Sequence, residues 1–564
     1  MPSNRYWTRG RLCFIIVYIY SLTANVNRPD RRSDTGRKRD SGEEKKGQGV
    51  VTMARRFGAW ANAPEAIPVE SCDRVIETEV LVIGAGIAGM TCAYSAAEGG
   101  AKVAVMEKFD RYSARGFNIG VVNSSLMRKA GIENDVDEVV REWIKRCGNR
   151  CDERIVRLFA EKSEKAMDWL LELLTRPEYA VRPELQGCMY KGETYNEIYG
   201  AHIFYDGPMS RAGRGRGMVD VLEPMYQECL KRDVLFLFGT PMQQLIRDGE
   251  RVVGAIGRDA EGRLIAVRAT AGVVLATGGI GGNDEMCEDL CPVANKVAAK
   301  ICGPKGCDNG DGHRAAYWAG AAFEDDDFAT VMHPQAHRHA SFCFLFVNPK
   351  GERFMNEDNY LQGKSLGVIK QGVKYCWSVM DAAWRTKVPQ TLPYGGGLYW
   401  GNDFALGKGT EFQEEYEEEK MEWGLKNGVT VTADTPEALA EKMGVDPATF
   451  AETLRVYNGM CHAGKDTQFG KRRELLIPLD QPPFIARKFG PALLSVVGGV
   501  KVDVRMRVLN AALAPIPGLY AIGNTAGGRY GVDYPMLLPG NSHGTALTFG
   551  YLLGKDLSGH PRAE

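Results

Sequence analysis

The sequence predicts an α/β protein whose Rossmann-like nucleotide-binding domain is interrupted by an inserted α+β domain. Three observations carry that expectation. Residues 79–108, "EVLVIGAGIAGMTCAYSAAEGGAKVAVMEK", read as strand, glycine turn, helix and strand. "AGVVLATGGIGGN" at 271–283 is a second apolar strand running into a glycine turn, and "GLYAIGNTAGG" near the C-terminus is a third. Between the second and third, residues from about 311 to 482 change texture to aromatic and polar segments with a helix pair, so the nucleotide domain is expected in two pieces, 75–310 and 483–564.

In the first unit, Gly84, Gly86 and Gly89 fit G-x-G-x-x-G. The first permits the tight turn, the second lets the backbone approach a pyrophosphate, and the third lets helix pack on strand. Glu107 closes the next strand, where a carboxylate can accept both hydroxyls of a ribose. A helical stretch is expected from about Val136 to Leu174, and "DVLFLFGTPMQQLIRDGERVVGAI" reads as a strand pair. In "DTPEALAEKMGVDPATFAETLRVYNGM", Asp434 with Glu437 makes the more complete capping box and Thr435 with Ala438 a partial one.

With 70 Lys plus Arg against 71 Asp plus Glu, the net charge of -1 gives no electrostatic case for nucleic acid or an anionic membrane. The 66 glycines point to many turns near a ligand, and the 14 scattered cysteines to a reducing compartment. Residues 1–52 stand apart. The apolar run Leu12–Leu22 behind Arg5, Arg9 and Arg11 has the shape of a signal peptide, and export through residues 1–24 is one reading. It is too short for a stable membrane span, and the charged low-complexity stretch after it favours Met53 as the start and a cytoplasmic protein.

Five stretches in order, "VIGAGIAGM…VMEK", "VVLATGGIGGN", "NGDGHRAAYWAGA", "NPKGERFMNED" and "GLYAIGNTAGG", resemble the fumarate reductase/succinate dehydrogenase flavoprotein family, from about Glu79 to Leu557. The family includes urocanate reductase and the 3-ketosteroid dehydrogenases. The resemblance implies an FAD-binding domain, a capping domain at 311–482 that closes over the flavin, and hydride transfer between flavin and one carbon of a C–C or C=C bond. It implies FAD contacts at Gly84, Gly86, Ala88, Gly89, Glu107 and Lys108, at Ser113 and Gly116, and at Thr277, Gly278 and Asp311. It further implies contacts at Gly523 and Asn524, and at Asn541 and Ser542, where a helix N-terminus faces the flavin. No histidine stands between Lys108 and Ala201, so FAD is expected to be non-covalent, and no C-x-x-C-H haem site exists, so electrons come from an unidentified donor or acceptor.

His333 matches a substrate-pocket histidine of the fumarate reductases, but their arginines and second histidine fall at Leu361, Ser495 and Tyr534. A dianion needs fixed cations to replace its hydration, so these exchanges disfavour fumarate. The replacements resemble the 3-ketosteroid dehydrogenase branch. There Tyr534 and Gly540 would polarise a ketone and Tyr360 would move a proton, which is chemically coherent as a neutral oxyanion hole with a phenolic acid or base. "PMLLPGN" is about two residues longer than in that branch. The expected activity is reduction or formation of a C=C bond conjugated to a ketone on a steroid-like or other apolar small molecule. The alternatives are reduction of an acrylate such as urocanate, recruiting Arg338 or Arg529, and an electron-transfer flavoprotein subunit.

"HPQAHRH" gathers His333, His337 and His339 without a carboxylate or cysteine and with Arg338 among them, so no metal is expected. Cys287, Cys291, Cys302 and Cys307 are close enough in sequence to make an iron-sulfur cluster a candidate, against the plainer reading of small buried residues. His543 is expected to cap or pack.

Overall fold

A strand that is apolar on both faces belongs in the middle of a parallel sheet, and the three glycine-turn strands are found there. The computed structural model describes residues 57–559 apart from 114, 188–197, 214–216, 304, 338–342, 395–411 and 413. Its main sheet runs in the order Arg507–Leu509, Pro515–Ala521, Leu264–Leu275, Arg74–Ile83, Val103–Met106 and Leu235–Leu237. The inner pairs are parallel, and Leu264–Leu275 also carries the antiparallel ribbon Met242–Asp248 and Arg251–Arg258. The segment expected as a strand pair is therefore three strands.

The helix Ile87–Glu98 has every residue but Glu98 buried, because it is covered by the sheet on one side and by the C-terminal helix Asn541–Leu557 on the other. Gly550 and Gly554 permit that approach: a Cβ on either would stand 2.8 Å from the Ala88 carbonyl oxygen or 2.6 Å from the Ser95 Cβ. The expected helix 136–174 is two helices, Val136–Arg146 and Glu153–Leu174. Gly148 and Asn149 take left-handed backbone between them, and Asp135 and Asp152 cap the two starts with their carboxylates.

A second core holds Phe344, Trp377, Leu439, Phe450, Tyr457 and Ala486 among others, around an antiparallel sheet of Leu345–Val347, Cys376–Asp381, Phe484–Phe489 and Thr430–Ala433. The division between cores differs from the change of texture. Ala316, Phe328 and Met332 belong to the first core, and Phe484 and Ala486 to the second, so the turnover falls between Met332 and Phe344 and again after Phe489 rather than at 311 and 483. Helix Asp311–Trp318 reads as part of a new region because its exposed face is polar, yet its buried face belongs to the nucleotide domain.

The capping expectation at 434–437 is also corrected. Helix Pro436–Met443 starts from Thr435, whose hydroxyl accepts the Ala438 N–H at 3.2 Å. Proline suits the first helical position, where its missing N–H costs nothing, and that fixes the cap one residue after Asp434.

Among the described residues no helix is long and apolar enough to cross a membrane. Residues 1–56, which carry the leader-or-start question, lie outside those described.

Candidate active site

The glycine turns of the central strands meet at their C-terminal ends, which is where an open α/β sheet leaves a crevice. A cavity of about 310 Å³ opens there. Its walls come from Gly84, Gly86 and Ala88 of the first turn, Glu107 and Lys108 after the second strand, and Ser113, Arg115 and Gly116 of the following loop. Thr277, Gly278, Asp308 and Asp311 form another side, and Ser495, Gly523, Asn524, Ser542 and His543 the far end.

The first turn shows why each glycine is needed. Gly84 has φ +103°, and a Cβ on it would lie 2.4 Å from the Ala276 carbonyl oxygen. A Cβ on Gly89 would lie 1.9 Å from the Gly84 carbonyl oxygen, so Gly89 is a packing residue behind the cavity rather than part of its wall. Gly86 is different. The nearest atom to its missing Cβ is the Ser113 carbonyl oxygen at 3.6 Å, and any side chain would project into the cavity. Gly86 caps helix Ile87–Glu98 with no side-chain acceptor, which leaves first-turn N–H groups for an anion. Helix Asn541–Leu557 begins in the same way from Gly540 at φ +73°.

Glu107 is 8% exposed and accepts the Ala85 N–H at 2.7 Å and the Phe109 N–H at 2.9 Å, one on each oxygen. Burial raises its pKa and these N–H groups oppose the rise. Each oxygen keeps a lone pair for a hydroxyl, which fits a ribose. Lys108 donates to Asp311 at 2.8 Å, with Arg314 on the other oxygen at 2.7 Å. Among the remaining expected cofactor residues, Asn541 is the exception to the lining. Its side chain is buried and donates to the Pro535 and Leu538 carbonyls at 3.0 and 2.9 Å, holding the loop rather than facing the cavity.

The four clustered cysteines do not form a metal site. Cys287 donates to the Ile280 carbonyl, Cys291 to that of Phe328, Cys302 to that of Leu493, and Cys307 to that of Cys302. Burial raises all four pKa values, to about 11 for Cys287 and about 12 for Cys302, so these groups stay thiols. Among the described residues no set of three His, Cys, Asp or Glu could hold a metal ion, and the iron-sulfur expectation is withdrawn. Cys302 and Cys307 line the cavity instead. His339 and Arg338 lie outside the described residues.

None of the residues expected to act on substrate, Tyr534, Tyr360, Gly540 and His333, lines the cavity; Tyr534 adjoins its far end through Ser542. Tyr534 is buried, which raises its pKa, and its hydroxyl accepts the Ser542 N–H at 3.3 Å. Ser542 lines the cavity whereas Gly540 supplies the turn before it. Tyr360 caps helix Leu361–Lys370, and its hydroxyl donates to Asp533 Oδ2 at 2.6 Å. The loop before Tyr360 is fixed by Arg353, which is buried and holds Glu357 at 2.8 Å and Asp466 at 2.8 and 3.0 Å through its guanidinium. His333 is buried neutral, its pKa pushed down to about 4 by burial. Its strand, Ala329–His333, bulges between Val331 and Met332 where it pairs with Ala492–Val497. The Met332 N–H then donates to Gln362 Oε1 at 3.1 Å.

Asp533 was not anticipated. It accepts from Tyr360, from the Gln362 amide and from the Tyr534 main-chain N–H at 2.9 Å, and so joins the segments that carry the two tyrosines and the histidine. Its only sequence signal is its place beside Tyr534. Arg529, a candidate substrate cation, is committed elsewhere: its guanidinium donates to Thr545 Oγ1 at 2.8 Å and to the Gly523 and Ala526 carbonyls at 2.6 and 2.8 Å. Ser495 and Asn524 are paired at 3.1 Å and both line the cavity. His543 bonds the Asn118 carbonyl through Nδ1 at 2.8 Å.

Fold and cavity together define a nucleotide-binding α/β protein with its crevice at the C-terminal ends of the central strands. The chain belongs to the FAD binding domain family, which matches residues 79–542. It is similar to the vinyl phenol reductase of Lactiplantibacillus plantarum, at 27% identity over 85% of this chain and 95% of that one. It is also similar to the 3-oxosteroid 1-dehydrogenase of Mycolicibacterium smegmatis, at 26% identity over 86% and 97%. Its fold is that of the open conformation of a flavocytochrome c3 fumarate reductase, with a TM-score of 0.64 and 23% identity over 90% of this chain and 83% of that one. It is an FAD-dependent oxidoreductase acting on CH–CH bonds.

Proposed function

We propose that this enzyme reduces, or introduces, a C=C bond conjugated to a ketone on an apolar molecule of steroid-like class. When bound, FAD supplies or accepts the hydride at one carbon. The observation that carries the reading is the buried Tyr534 hydroxyl behind the far end of the cavity, which accepts the Ser542 N–H and keeps its own proton to donate, with the Tyr360 hydroxyl held on Asp533 of the same loop. As the bond is reduced, enolate character develops on the ketone oxygen. The Tyr534 phenol, polarised by the Ser542 N–H that it accepts, would stabilise that charge without requiring a cation, with Gly540 at the adjoining turn as the expected second donor. Tyr360 would deliver or remove the proton at the neighbouring carbon.

The acrylate alternative is disfavoured on electrostatic grounds. Arg529 is spent on carbonyls and a hydroxyl, and the half-buried Asp533 carboxylate would repel a substrate carboxylate placed beside Tyr360. Of the relatives, the 3-oxosteroid 1-dehydrogenase acts on such a ketone, while fumarate reductases and a urocanate reductase act on unsaturated carboxylates. Gly84, Gly86, Ala88, Glu107, Thr277, Gly278, Gly523 and Asn524 would hold FAD non-covalently, and the unit built on the second core would cover the flavin. The reading treats the chain as an enzyme in its own right rather than a carrier that only passes electrons to a partner.

Anaerobic reduction of the chain expressed from Met53, followed by flavin reoxidation against enones, 4-vinylphenol, urocanate and fumarate, tests this. Reoxidation by enones is the expected result. Reoxidation by the acrylates alone would overturn it, and reoxidation by none of them in a single turnover would favour the electron-transfer subunit.

A further inference from the structure

We infer that Asp533 is a positioning residue that recharges Tyr360 with a proton during turnover, an assignment that rests on the role proposed above for Tyr360. The contact is short and direct, 2.6 Å from the Tyr360 hydroxyl to Asp533 Oδ2. The other carboxylate oxygen is held by the Gln362 amide and the Tyr534 main-chain N–H, and Gln362 is itself fixed by the Met332 N–H at the strand bulge. A carboxylate locked on one side by two donors presents its second oxygen to the phenol in one orientation. Burial raises the Asp533 pKa, while the bonds from Tyr360 and Gln362 and the Tyr534 N–H pull it back. Val532 beside it is 46% exposed, so the loop reaches water.

In the reductive direction a hydride from reduced flavin forms one C–H bond. The Tyr360 O–H breaks as its proton forms the second C–H bond. The Asp533 carboxylate then takes a proton from water and passes it to the Tyr360 oxygen, which restores the pair in which the Tyr360 hydroxyl donates to Asp533. In the oxidative direction the same bonds form and break in reverse, and Asp533 takes the phenolic proton. Charges and electrons balance with bound flavin as the only redox partner. The titratable groups that meet Asp533 are Tyr360 at the start of helix Leu361–Lys370 and Cys147, whose thiol donates to the Asp533 main-chain carbonyl at 3.6 Å, while the Tyr534 phenol is bonded to the Ser542 N–H instead.

The test uses the FAD-loaded full chain, an enone and steady-state turnover across pH with reduced methyl viologen as electron donor. Asp533→Asn should lower the rate roughly 10- to 100-fold with KM little changed and should remove one limb of the pH–rate profile. Tyr360→Phe with Asp533→Asn should be no slower than Tyr360→Phe alone, since the two act in series. An intact limb and rate in Asp533→Asn, or losses that multiply in the double variant, would overturn the inference. If Asp533→Asn does not retain flavin, Gln362→Met serves. Losing the amide donor removes a bond that lowers the Asp533 pKa, so the limb should move to higher pH, and an unmoved limb would overturn the assignment. Should Tyr360→Phe turn over like the parent, the proposed site itself fails. Should Tyr360→Phe slow the reaction while Asp533→Asn does not, only the role of Asp533 fails.

Discussion

The cavity wall and the cluster around Asp533, the proposed cofactor and substrate ends of this enzyme, are built from different material. Around the cavity the chemistry is done by main chain: glycine turns, two helix starts without side-chain caps, and one carboxylate fixed by two N–H groups. At the proposed substrate end the polar groups are side chains drawn from distant segments, with Tyr360, Gln362 and Asp533 meeting across more than 170 residues of chain. The first kind of site tolerates almost no change of shape and the second almost no change of functional group. That difference predicts how each fails.

The largest effect is expected at the main-chain end. Gly89→Ala would set a methyl 1.9 Å from the Gly84 carbonyl oxygen, so the turn must open, at a cost on the order of 3 kcal/mol, with loss of bound flavin. The ratio of flavin to protein absorbance after purification reads this directly, and normal flavin content would mean that the first turn is not the clamp described. At the side-chain end, Tyr534→Phe should leave flavin content unchanged and slow single-turnover reoxidation by an enone roughly 100- to 1,000-fold. Equal rates would remove Tyr534 from the mechanism and dissolve the contrast between the two ends.

Glu107→Gln lies between. The amide cannot accept on both of its heavy atoms, so one buried N–H loses its partner, and FAD affinity should fall by about 1.5–3 kcal/mol with catalysis by the loaded enzyme unchanged. Titration of the apoprotein with FAD checks it.

A pH effect follows from His202, His313 and His333, each held neutral by burial with its pKa lowered from 6.5 to about 4. The unfolded chain binds more protons than the folded one between those values, so stability should fall as pH drops from 6.5 towards 4. Each histidine contributes a slope of up to about 1.4 kcal/mol per pH unit in that window. Thermal melts in matched ionic strength would show it, and a flat Tm from pH 7 to 5 would contradict it. The smallest effect is Thr435→Ala, which removes a cap far from either end and should cost about 1 kcal/mol with activity untouched, whereas Asp434→Ala should cost less.

Much of the cofactor end was legible because its determinants are local. Gly84, Gly86 and Gly89 sit within six residues of one another, and the turn they make follows from steric exclusion of Cβ at fixed spacing. The same locality misled elsewhere. Asp434 and Glu437 look like a capping box until Pro436 fixes the helix start, and four nearby cysteines look like ligands until each thiol finds its own carbonyl. Asn541 belongs to the right helix start yet turns its amide into the preceding loop.

By itself, then, the sequence determined a nucleotide-binding sheet and the glycine turns at the ends of its strands, and it set Leu361, Ser495 and Tyr534 where the resemblance implies cations. Only the tertiary structure decided that Asp533 is the junction of Tyr360, Gln362 and Tyr534, that Arg529 is spent on carbonyls, and that the cores change over near Met332 and Phe489. The physical reason is range. Backbone conformation and hydrophobic period are set by neighbours in the chain, whereas a hydrogen bond between side chains from separate segments exists only once packing has fixed where those segments lie.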